Sequence, residues 1–142
     1  MIDKLDAIYN DYIEEMTRDK RANGQTVGSL FGSVLFGTKE SEYMSRRFTA
    51  AMGKLMEEFA ASSPDSAAVE QLADYILARS LEHRDKPALS LMLTAMHSQL
   101  MPYVSLITPE AAARYAALYD ASFPPKERTP VMKKLYKELK KI

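Results

Sequence analysis

The sequence predicts an all-α protein, a single domain of about six helices packed around a central apolar helix at residues 87–101. Three observations lead there. Apolar residues recur at spacings of three and four over most of the chain, the period of a helix that turns one face to a core. Four of the seven prolines (Pro64, Pro87, Pro109, Pro130) stand at the start of such a segment, where a missing backbone N–H costs nothing. No segment alternates apolar and polar residues over the length of a strand between turn residues.

The first helix covers residues 2–22, with Ile2, Leu5, Ile8, Tyr9, Tyr12, Ile13 and Met16 on one face and Asn23-Gly24 as its stop. A second runs from 39 to about 62 behind Thr38 as N-cap, its stripe Met44, Phe48, Ala51, Met52, Leu55, Met56 and Phe59. Ser63-Pro64-Asp65 opens a third, with Ser63 as cap and Pro64 at the first helical position. The fourth, 87–101, is apolar nearly all round and belongs in the middle of the packing; Pro102 kinks or ends it. Thr108-Pro109 starts a fifth, with Ala112, Tyr115, Ala116 and Tyr119 inward. Thr129-Pro130 starts a sixth, with Val131, Leu135, Leu139 and Ile142 on one side and lysines on the other.

Composition narrows the function classes. A chain of 142 residues that is 46% apolar can bury a core without metals or disulfides. It contains no Cys, which removes disulfides, thiol nucleophiles and thiolate zinc sites and fits a reducing compartment. Met1-Ile2-Asp3-Lys4-Leu5-Asp6 lacks the basic head and apolar run of a signal peptide. The most apolar stretch, Ala88 to Ile107, is broken by Ser90, Thr94, His97, Ser98, Gln99 and Pro102, too polar for a membrane span. A cytoplasmic location and no membrane association are therefore expected. Nineteen basic side chains cancel nineteen acidic ones, whereas a nucleic-acid binder carries a positive excess for phosphate contacts. The charge is unevenly spread, with seven Lys or Arg against two Glu in residues 126–142.

One stretch departs from simple bundle logic. Four of the five glycines fall between Asn23 and Thr38, and Gly24, Gly28 and Gly32 recur every four residues among Val27, Leu30, Phe31, Val34, Leu35 and Phe36. Small residues at that spacing let another backbone approach closely, yet each Gly costs about 0.5–1 kcal/mol against Ala in a helix. Three readings stand: a tightly packed element inside the domain, an exposed apolar surface for a partner or a second copy, or a membrane-inserting segment too short to span. Gly24, Gly28, Phe31, Gly32, Leu35 and Phe36 form the candidate interaction surface. The run Gly32 to Lys39 resembles a phosphate-binding loop with its last two residues exchanged. The lysine and hydroxyl are then misplaced for phosphate and Mg²⁺, and no strand precedes the loop.

Catalytic and metal chemistry find no support. Neither His83 nor His97 has a Glu three residues before it, so a di-iron helix motif is missing, and neither His-Glu-x-x-His nor G-x-S-x-G occurs. His83 is expected in a solvated turn. The adjacent pairs Glu14/Glu15 and Glu57/Glu58 point in different directions on a helix. The methionines suggest a groove: Met52, Met56, Met92 and Met96, with His97, either fill a core or line a cleft for a peptide helix or small apolar ligand. Lys133, Lys134, Lys137, Lys140 and Lys141 make a basic face, which either keeps the last helix soluble or docks an acidic protein, nucleic acid or anionic membrane.

The function expected is thus a non-catalytic, self-associating helical interaction or adaptor module without cofactor or metal. Its partner is another protein or a second copy. The alternatives are a regulator holding a small apolar or anionic ligand between helices and a weak nucleic-acid binder through the C-terminal lysines.

Overall fold

The computed structural model describes residues 1–22, 39–84 and 90–142, with the side chains of 16–22, 39–45 and 90–91 excepted. All regular secondary structure among the described residues is helical, in six α-helices: α1 (Ile2–Ala22), α2 (Lys39–Ala61), α3 (Ser66–Glu82), α4 (Ser90–Leu100), α5 (Pro109–Ser122) and α6 (Pro130–Lys141). Two 3-10 segments, Met101–Leu106 and Pro125–Glu127, join the later ones. Among the described residues no helix is long and apolar enough to cross a membrane. Contacts divide the chain into two units, residues 1–61 with 84–92 and residues 62–83 with 93–142.

In the first unit α1 packs against α2. Leu5, Tyr9 and Tyr12 of α1 are buried, as are Phe48, Met52, Leu55, Met56 and Phe59 of α2, spaced as one helical face requires. Tyr12 meets Phe48 edge to face at 5.4 Å between ring centroids. Lys4 lies 3.4 Å from Glu58, and Glu15 lies 3.0 Å from Arg47. The early residue of α1 thus pairs with the late residue of α2 and the reverse, so the two helices run antiparallel. Ala51, expected on the inner stripe, is exposed.

The second unit begins with a correction. The helix expected to open at Pro64 starts instead at Ser66, capped by Asp65, whose side-chain oxygen accepts from Ala68 N at 2.9 Å. Ser63 cannot serve as cap because it sits at φ 53°, in the left-handed region that turns the chain after α2. An ionised acceptor also makes the stronger bond to a backbone N–H. Pro64 accordingly lies before the cap and outside the first helical turn, while Pro87 lies outside the described residues. His83, expected in solvent, is buried at the C-cap of α3.

Pro102 ends α4 by narrowing it: the chain continues as a 3-10 segment with Pro102 in its first turn. Thr108 and Thr129 cap α5 and α6 through their hydroxyl oxygens, which accept from Ala111 N and Met132 N, with Pro109 and Pro130 in the first turns as expected. α5 packs against α6, and the 101–106 segment contacts both α3 and α6.

Candidate functional site

Of the residues singled out above, Gly24, Gly28, Phe31, Gly32, Leu35 and Phe36 lie outside the described residues. Met52, Met56 and Met92 are buried in the first unit, and Met96 and His97 in the second. Lys133, Lys134, Lys137, Lys140 and Lys141 are all exposed.

His97 is fully committed within the protein. Its Nδ1 lies 2.8 Å from the Leu93 carbonyl oxygen, one turn earlier on α4. A carbonyl only accepts, so Nδ1 carries the proton and Nε2 presents a lone pair. That lone pair takes the hydrogen bond donated by the Tyr119 hydroxyl of α5 at 3.0 Å. Burial lowers the imidazole's pKa below its ordinary value and raises that of the Tyr119 phenol, so both groups are neutral near pH 7. Neither ring nitrogen is left for a ligand.

Tyr119 leads outward to α6. Its ring packs on Phe123 at 5.5 Å and edge-on to Tyr136 at 6.1 Å between centroids. The Arg128 guanidinium sits 4.4 Å from the Tyr136 ring centroid, within cation–π range. Arg128 Nε donates to the Phe123 carbonyl at 2.8 Å, and an Nη group adds a longer bond, 3.4 Å, to the Tyr119 carbonyl, which already accepts from Phe123 N at 2.9 Å. Asp120 completes the clasp: it accepts from the Tyr136 hydroxyl at 2.9 Å and lies 3.6 Å from Arg128. This clasp sets the rotation of α6 about its own axis.

With α6 so held, its apolar side chains Met132, Leu135 and Leu139 are buried. Met132 takes the place expected for Val131, which is half-buried, and Ile142 is 43% exposed rather than inward. The five lysines necessarily occupy the opposite face. Lys141 lies 3.1 Å from Glu138. Among the described residues, no carboxylate pairs with Lys133, Lys134, Lys137 or Lys140. Beside them a shallow hollow of about 280 Å³ opens between α5 and α6, lined by Ala113, Ala116, Ala117, Leu139 and Ile142, with Lys140 and Asp120 also on its wall.

A second polar cluster joins α3 to α5. The Thr108 hydroxyl donates to Glu70 at 2.6 Å, and the Tyr115 hydroxyl, with its one proton, lies 2.8 Å from Asp74 and 3.0 Å from the Glu70 carbonyl. Arg114 reaches the same Asp74 oxygen at 3.2 Å. Burial, reinforced by the bond to Asp74, pushes the Tyr115 phenol up to about 12. These bonds lock two helices together and leave Tyr115 a donor, not a base, near neutral pH.

Sequence reasoning placed Tyr119 inward but missed its pairing with His97, and it missed Arg128 and Asp120; these roles depend on which helices meet. No group of three or more His, Cys, Asp or Glu side chains among the described residues is arranged to hold a metal ion. Comparison with protein-family models, with curated proteins and with solved structures finds no match to this chain.

Proposed function

We propose that this chain is a non-catalytic interaction or adaptor module of the cytoplasm that docks an acidic protein surface on the lysine face of α6. One observation carries the reading. Five exposed lysines line one side of a helix whose other side is buried, and four of them have no carboxylate partner among the described residues. Like charges gathered on a fixed helix repel one another, and an anionic surface relieves that repulsion. The shallow hollow beside them, with Lys140 on its wall, leaves room for a side chain of a protein partner. A long nucleic acid fits less well, because residues 1–125 carry twelve basic against seventeen acidic side chains and would repel a polyanion extending past α6.

The test is titration of the chain into a fluorescent polyglutamate peptide at low salt, beside a DNA duplex of equal charge. Binding to polyglutamate that weakens with salt, and falls tenfold or more in Lys133→Glu/Lys137→Glu/Lys140→Glu, supports the reading. Lysine-dependent preference for the duplex, or binding to neither, overturns it.

A further inference from the structure

We infer that the acidic surface received by α6 is the outer face of α1 in a second copy of the same chain; this rests on the reading of α6 as a docking face. The two faces are opposite in charge and comparable in length. Over residues 2–15, α1 carries five carboxylates against one lysine. Its inner face is taken by Leu5, Tyr9 and Tyr12, which leaves Asp3, Asp11 and Glu14 exposed together with Ala7 and Asn10, while the exposed Lys4 is drawn to Glu58 of α2. At about 1.5 Å per residue, Asp3 to Glu14 spans roughly 16 Å and Lys133 to Lys141 roughly 12 Å, so the three outer carboxylates of α1 can each reach a lysine of α6 when the helices lie side by side.

The charge balance of the whole chain points the same way. Residues 126–142 hold seven basic and two acidic side chains, and the remainder holds twelve basic and seventeen acidic. The positive excess is thus gathered in the last seventeen residues, and the acidic excess lies outside them, part of it on the first half of α1. Each exposed ion pair contributes little alone, so the association is weak, fast and sensitive to salt.

Sedimentation equilibrium from micromolar to millimolar protein tests this, at about 0.01 M salt, where charges reach roughly 30 Å, and at about 1 M, where they reach about 3 Å. The expected result is an average mass that climbs with concentration at low salt and returns to the monomer at high salt. Two variants refine it: Lys133→Glu/Lys137→Glu/Lys140→Glu, and Asp3→Lys/Asp11→Lys/Glu14→Lys. Each alone should stay monomeric at low salt with unchanged helical circular dichroism, because both of its faces now carry one sign. Mixed, they should associate again, which a misfolded variant could not do. A wild-type monomer at low salt, persistent association of either variant alone, or a mixture that stays monomeric each overturns the inference. If the wild type stays monomeric yet binds polyglutamate, only the second copy is lost as partner; if it binds neither, the docking role of α6 falls as well.

Discussion

Replacing Tyr119 by Phe should destabilise the protein by about 1–3 kcal/mol, although it removes a single oxygen atom. Tyr119 is 0% and His97 1% exposed, so water cannot replace the lost hydroxyl at Nε2. The imidazole cannot compensate by switching tautomer, because Nδ1–H is spent on the Leu93 carbonyl at 2.8 Å. The cost is therefore that of a buried acceptor left without a donor. His97→Leu alone strands the Tyr119 hydroxyl in the same way. Tyr119→Phe with His97→Leu removes both polar atoms together and should cost less than the two single changes added, giving a coupling of about 1–2 kcal/mol. Urea unfolding followed by circular dichroism at about pH 8, above the ordinary imidazole pKa of about 6.5, measures all four proteins in the cycle. Acid adds a second readout. His97 has a lowered pKa in the fold, so the unfolded chain takes up its proton first as pH falls. Its contribution to stability is complete above about 6.5 and is lost below that, with a slope of at most about 1.4 kcal/mol per pH unit for one proton. Phe at 119 no longer favours the neutral ring through a hydrogen bond, so the gap between wild type and Tyr119→Phe should narrow on acidification. Additive single and double changes, or a gap that widens with acid, would refute the pairing.

Two further substitutions test the elements that position α6 and α2. Arg128→Lys keeps the charge but cannot donate to the Phe123 and Tyr119 carbonyls while lying over Tyr136; at a side chain only 8% exposed this should cost about 1–3 kcal/mol in urea unfolding, and a loss below about 0.5 kcal/mol would show that charge alone sufficed. Gly53 sits inside α2 with nothing within 4 Å of where a Cβ would stand, so Gly53→Ala should raise stability by about 0.5–1 kcal/mol, and a lowered urea midpoint would contradict that.

The parts of the molecule that were legible in the sequence are those settled within a few residues of chain. Thr108-Pro109 and Thr129-Pro130 announce their helices because cap and proline act on the adjacent backbone alone. Ser63-Pro64-Asp65 holds two residues able to cap, and the choice fell to Asp65 once the turn after α2 had claimed Ser63 for a left-handed conformation. Met132 displaced Val131 from the inner face of α6 because the clasp of Arg128, Tyr136 and Asp120 fixes that helix's rotation, which periodicity leaves free by about a third of a turn between neighbouring residues. His83 and His97 were visible as histidines, but burial of the first and the Tyr119 partner of the second depend on contacts made far along the chain. The lysine face is the opposite case. Spacing along one helix was enough to group Lys133, Lys134, Lys137, Lys140 and Lys141, and no rotation that buries Leu135 and Leu139 brings all five inside. What local pattern could not supply was a counterpart, since the exposed carboxylates of α1, proposed above to receive these lysines in a second copy, lie at the other end of the chain.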